Sequence, residues 1–121
     1  MRAVFDTNIL IDYLNGISKA AAELALYDDK LISIITYIET LTGAKNREQE
    51  RLIQSFLSTF AIRPLSPEIA DRAVLLRREQ RLKTPDAIVY ATARTEGCLI
   101  VSRNSKDLNP DWPDVRMPYV V

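Results

Sequence analysis

Asp6, Glu39, Asp86 and the segment 104–107 are the places where this chain can do chemistry, and that chemistry belongs to carboxylates. There is no histidine, which removes Ser-His-Asp and Cys-His catalysis and imidazole-bound zinc together. The one cysteine, Cys98, excludes an internal disulfide and sits in an apolar run, where it reads as a small buried hydrophobe. Carboxylates, amides, hydroxyls, lysine and arginine remain. Carboxylates gathered in one place repel and cannot all stay ionised without a counter-charge. A hard divalent cation supplies it. Mg²⁺ takes oxygen ligands and keeps several waters, so a few carboxylates suffice to hold it. Such a cation orients and activates water and stabilises charge on a phosphodiester, a hydrolytic route open to a protein without histidine.

Each acid also has a structural explanation. Asp6, in Asp6-Thr7-Asn8, can turn or cap the chain. Glu39 completes Thr36-x-x-Glu39, the pattern of a capping box. Asp86 follows Thr84-Pro85, where an acid favours the helix dipole. Asp107 reads alone as a solvated loop charge. These explanations take the residues one at a time. They do not account for the edge that all of them share.

That edge follows from the elements that position the acids. A strand over 2–5 ends at Asp6, and Thr7 is expected to cap a helix over 8–14, stopped near Asn15-Gly16. Ser18 opens an alanine-rich helix to about Tyr27. A second strand is expected over 31–35, then a helix starting at Thr36 that carries Glu39 in its first turn. Asn46 begins a helix over 47–59 with Leu52, Ile53, Phe56, Leu57 and Phe60 on one face. A short third strand covers 60–63. Ser66-Pro67-Glu68 starts a helix to about Arg81, and Thr84-Pro85-Asp86 starts another, ended by Gly97. Cys98–Ser102 forms a fourth strand, and Tyr119–Val121 reads as a short edge strand. Strands alternating with helices imply an α/β domain built on a mostly parallel central sheet of about five strands, flanked by helices in three layers. In such sheets ligands bind beyond the carboxyl ends of the strands, where these acids fall.

With the residues in that order, the chain resembles the PIN-domain family, and within it the VapC-type toxins of toxin–antitoxin pairs. The matching blocks are Val4-Phe5-Asp6-Thr7-Asn8-Ile9-Leu10, then 34–41 around Glu39, then Thr84-Pro85-Asp86-Ala87 through Ala93, and finally Gly97 through Leu108. They span nearly the whole chain, so residues 1–121 read as one PIN-like domain. The resemblance implies a metal-dependent endoribonuclease using Mg²⁺ or Mn²⁺, with Asp6, Glu39 and Asp86 as metal ligands and catalytic acids. It also implies an RNA substrate, a homodimer and a small inhibitory antitoxin. Ser102 stands where the family often has threonine and keeps the hydroxyl. The fourth acidic position falls to Asn104 or Asp107. Asp107, which brings full charge, is expected as the fourth catalytic acid and metal ligand, directly or through water. Asn8, Ser102, Arg103 and Asn104 are expected on the substrate side.

Other readings are weaker. An aspartate nucleophile for phosphoryl transfer would want a second aspartate two residues after Asp6, where Asn8 stands, or an aspartate after the third strand, where Leu65 follows Pro64. A catalytically inactive PIN-like binding or regulatory module is the alternative that survives. Net charge is zero, whereas a nucleic-acid binder often carries a positive excess. The basic residues Arg77, Arg78, Arg81 and Lys83 precede Asp86, but Arg103, beside the fourth strand, is better placed for phosphate. Trp112 and Tyr119 read as packing residues. No apolar run is long enough to span a membrane and the start does not read as a signal peptide, so a cytoplasmic location is expected.

Overall fold

The computed structural model describes residues 1–121. Its strands are β1 (Arg2–Phe5), β2 (Asp29–Ser33), β3 (Ala61–Arg63), β4 (Leu99–Val101) and β5 (Val115–Arg116). They form one sheet in the order β3-β2-β1-β4-β5, and every pairing is parallel. The helices are α1 (Thr7–Leu14), α2 (Ser18–Leu24), α3 (Ile34–Thr42), α4 (Arg47–Leu57), α5 (Pro67–Gln80) and α6 (Thr84–Glu96).

Two cores explain the three layers. Side chains alternate across a strand, so Val4, Leu31 and Ile100 point to one face and Ala3, Phe5, Ile32 and Val101 to the other. The first set packs under α5 and α6, whose Leu76, Ala87, Tyr90 and Ala91 are buried there. The second packs under α1, α2 and α4 through Ile9, Leu10, Leu24, Ile53 and Leu57. α6 is buried continuously from Ala87 to Ala93, which holds its first turn, and therefore Asp86, rigidly against the sheet edge.

Several boundaries differ from those expected. β2 begins at Asp29, because Arg2 and Asp29 sit opposite each other in the β1–β2 ladder and pair through their side chains. It ends at Ser33, which caps α3 by accepting from the Ile35 N–H. Thr36 is therefore inside α3, there is no capping box, and Glu39 falls in the second turn. Asp6, not Thr7, caps α1. The cap of α6 is Lys83, without a side-chain bond, and Thr84 is its first helical residue. The α2 helix ends at Leu24 and α4 at Leu57, both short of expectation. On α4, Ile53 and Leu57 are buried, but Leu52 is 64% exposed. The edge strand is Val115–Arg116 rather than 119–121. Val115 enters the core, whereas Val120 and Val121 have no strand partner and stay exposed.

Candidate active site

β1 and β4 are neighbours, and the chain leaves β1 in one direction toward β2 and reaches β4 from the other side of the sheet. This switch point opens a crevice beyond their carboxyl ends. Asp6 follows β1 directly and Ser102 follows β4. The crevice, about 420 Å³, is lined by Asp6, Glu39 and Asp86 together with Thr7, Asn8 and Asn104; Arg103 and Ile11 also face it.

Asp6 is buried, and three groups fix its carboxylate. Its Oδ1 accepts from the Thr7 N–H at 2.9 Å, and its Oδ2 accepts from the Ser102 hydroxyl at 2.8 Å and from Asn8 Nδ2 at 3.2 Å. Asn8 Nδ2 also lies 3.1 Å from Ser102 Oγ, so the three side chains form a closed set. Burial pushes the Asp6 carboxyl above its ordinary value, the Ser102 and Thr7 bonds pull it back, and the charge of Glu39 adds to the rise. Glu39 reaches across from α3, and its Oε1 accepts from the Thr7 hydroxyl at 2.7 Å. Thr7 also lies 3.2 Å from the buried Thr36 hydroxyl.

Asp86 accepts no hydrogen bond from the chain, and its carboxyl is pushed up to about 6, first by burial and then by the charges of Asp6, Asp107 and Glu39. Asp107 stands within hydrogen-bond reach of Asp86. Its Oδ2 accepts from Asn104 Nδ2 at 2.7 Å. Asn104 in turn donates its backbone N–H to Ser102 Oγ at 3.1 Å. The two candidates for the fourth position are thus linked: Asn104 lines the crevice, and Asp107 lies behind it against Asp86.

This donor set suits a hard cation. The acids offer only oxygen, they repel enough to displace Asp86, and Asp86 has a free coordination face. No three of them stand close enough together to hold a metal ion by themselves, so a cation here would be held by one or two carboxylates and its own waters, a mode Mg²⁺ adopts.

Two residues of this neighbourhood were not singled out by sequence reasoning. Thr7 holds Glu39, although it reads as a cap. Asp12, one turn after Asn8, is only 4% exposed and forms a forked ion pair with Arg103, at 2.5 Å to Nε and 2.8 Å to Nη2. The signal for Asp12 is a charge on the buried face of an apolar helix. Of the upstream basic residues, Arg77 is committed to the Leu82 carbonyl and the Thr84 hydroxyl. Trp112 stacks on Tyr90, and the Tyr119 hydroxyl donates to Asp12, as packing residues would.

A cavity of about 610 Å³ lies at the opposite sheet edge around Arg2, Arg72, Arg94 and Cys98. Its arginines already face Asp29 and Glu96, Glu68, and Asp114 respectively, so it presents little unmatched charge. No helix is long and apolar enough to cross a membrane.

Comparison with known proteins adds to this geometry. The model of the PIN domain matches residues 3–109. A toxin–antitoxin complex from Klebsiella pneumoniae contains a chain 43% identical to this one, with TM-score 0.92, covering 98% of this chain and 99% of that one. VapBC2 from Rickettsia felis bound to a promoter DNA fragment is 24% identical, with TM-score 0.75 and coverage of 88% and 90%. DNA-bound VapBC from Salmonella typhimurium is 20% identical, with TM-score 0.79 and coverage of 96% of each chain. The latter two likenesses speak to the fold alone. Among curated protein sequences, none matches.

Proposed function

This chain belongs to the PIN-domain family, and from that premise we propose that it is a Mg²⁺- or Mn²⁺-dependent endoribonuclease acting as the toxin of a toxin–antitoxin pair. The observation that carries the reading is the meeting of Asp6, Glu39 and Asp86, from three separate elements, in one crevice at the switch point of the sheet. A bound Mg²⁺ would supply a counter-charge and a polarised water for attack on a phosphodiester.

The chain's own residues divide the work. Asp6, fixed by Thr7, Asn8 and Ser102, is the rigid metal ligand. Its donors offset the burial that would otherwise protonate it. Asp86 and the second oxygen of Glu39, which accept nothing from the chain, complete the donor set. Asp107 supports Asp86 directly or through water. Asn104, facing the crevice and steadied by Ser102 and Asp107, orients water or the substrate phosphate. A crevice carboxylate that the cation leaves unbound would take up the proton from attacking water.

The 43% identical Klebsiella relative is part of a toxin–antitoxin complex, which supports a small antitoxin partner here. A groove of about 470 Å³ between α1, α3 and α4, flanked by Leu14 and Leu52, offers an apolar surface for it. The homodimer and the cytoplasmic location follow from the same family reading. The deciding experiment is cleavage of single-stranded RNA with Mn²⁺ and Mg²⁺, comparing wild type with Asp6→Asn. The variant is expected to fold and to lose roughly 100-fold or more of the activity, beyond the loss typical of changes behind a metal ligand. A folded Asp6→Asn protein with wild-type cleavage would remove the site from the mechanism.

A further inference from the structure

Arg103 is the one cation among the residues that line the acidic crevice, and it is held at several points. Its backbone N–H donates to Asn8 Oδ1 at 3.2 Å, and its Nε and Nη2 donate to the two oxygens of Asp12. Asn8 and Asp12 are one helical turn apart on α1, so one residue is gripped at main chain and side chain by a single helix face. The Tyr119 hydroxyl, from the C-terminal segment, donates to Asp12 Oδ2 at 2.8 Å. Arg103 stays exposed and lines the crevice, and its Nη1 has no partner within the chain.

A buried carboxylate in an apolar helix stabilises little by itself, because desolvation offsets the attraction. Geometry is what the arrangement supplies. A forked carboxylate fixes the plane of a guanidinium, and here it does so for a residue that lines the acidic crevice, leaving Nη1 unpaired.

We propose that Asp12, completed by Tyr119, is a positioning residue that holds Arg103 so that its free guanidinium edge meets a backbone phosphate of single-stranded RNA beside the acids. The clamp rests on the nuclease reading for its substrate class. It also answers a problem in that reading: an acidic crevice repels a polyanion, and one cation fixed at its rim favours a single strand path across it.

The test is equilibrium binding of a fluorescein-labelled single-stranded RNA in EDTA, followed by anisotropy over a range of KCl. Steady-state cleavage with Mn²⁺ is measured on the same proteins. Arg103→Ala is expected to weaken binding about tenfold and to flatten the salt dependence by about 0.7, the contribution of one phosphate on a single strand. Asp12→Asn is expected to weaken binding about three- to tenfold and Tyr119→Phe about twofold, with the loss in cleavage falling on KM rather than kcat. The sign discriminates, because removing a negative charge from an otherwise inert scaffold would tighten RNA binding. In the Arg103→Ala background, Asp12→Asn should add no further loss, since the two residues act as one unit.

A folded Asp12→Asn protein that binds RNA as tightly as wild type or more tightly overturns the clamp. So does a loss that persists in full without Arg103, and so does a wild-type protein that binds no RNA. If Asp12→Asn does not fold, unchanged affinity and salt slope in Tyr119→Phe overturn it instead. Wild-type protein that binds in EDTA but cleaves nothing with Mn²⁺ removes the nuclease reading, while the binding series still judges the clamp.

Discussion

Replacing Asp86 with asparagine is expected to stabilise the metal-free protein near neutral pH while abolishing its function. The Asp86 carboxyl is raised from 3.8 to about 6 by burial and by Asp6, Asp107 and Glu39. An acid raised in the folded state binds protons that the unfolded chain has already released. Between about pH 4 and pH 6 stability therefore falls as pH rises, and above pH 6 the full penalty is present. The whole displacement corresponds to about 3 kcal/mol. Asp86 is half-buried, and solvent screening leaves about 1 to 2 kcal/mol to be regained. Against this, asparagine forfeits about 0.5 kcal/mol of favourable interaction with the α6 dipole, because Asp86 lies in the first turn. The repulsion wins by about 1 kcal/mol, or about 4 °C in Tm for a domain of this size.

Thermal melts in EDTA at pH 4.5 and pH 7.5 read this directly. The variant should melt higher than wild type at pH 7.5, and the gain should shrink at pH 4.5, where the folded protein keeps Asp86 protonated and has not yet met most of the penalty for ionising it. Adding Mn²⁺ at ten times its Kd should raise wild-type stability by about 1.4 kcal/mol at pH 7.5 and the variant by less. An Asp86→Asn protein that melts at or below wild type in EDTA at pH 7.5 would show that the carboxylates do not burden one another, and the argument for a cation at this crevice would lose its physical basis.

Three further outcomes follow from the same geometry. Ser102→Ala removes a bond that holds the Asp6 carboxyl down, so the acid limb of the pH–rate profile should move to higher pH and activity should drop about tenfold. Glu39→Gln should change Tm little, because Glu39 caps nothing, and should remove cleavage; Ser33→Ala, at the true cap of α3, should instead lower stability by about 0.5–2 kcal/mol and leave the cleavage rate per folded molecule intact. Asp107→Ala removes a charge that raises Asp86, so it should lower the Asp86 pKa, followed by carboxyl NMR, and weaken Mn²⁺ binding more than Asn104→Ala does; the reverse order would leave Asp107 as a loop charge only.

The acids were legible because strand ends and helix starts dictate where they stand. Asp6 closes an apolar strand and Asp86 follows a proline at a helix start, so any parallel pairing brings them to one edge. What surrounds them was not legible, for reasons that differ residue by residue. Leu31-Ile32-Ser33-Ile34-Ile35 is apolar but for Ser33, and periodicity cannot say where strand becomes helix; the Ser33 cap decides it, and with it the turn on which Glu39 sits. Tyr119-Val120-Val121 has strand propensity, but the sheet edge goes to Val115–Arg116, which buries Val115 and lets Arg116 fork onto Glu23. Glu23 looks like a surface charge on a short helix, and Asp12 stands on an apolar helix face with no counter-charge nearby in sequence; both are buried because each meets an arginine more than ninety positions away. Local sequence carries no sign of such pairs. Both arginines follow or form the last two strands, so these buried pairs fasten the end of the chain to α1 and α2, and Arg103 does so at the rim of the crevice. The fold is thus tied together beside the acids, and under the clamp proposed above a change at Asp12 should show in RNA binding as well as in melting temperature.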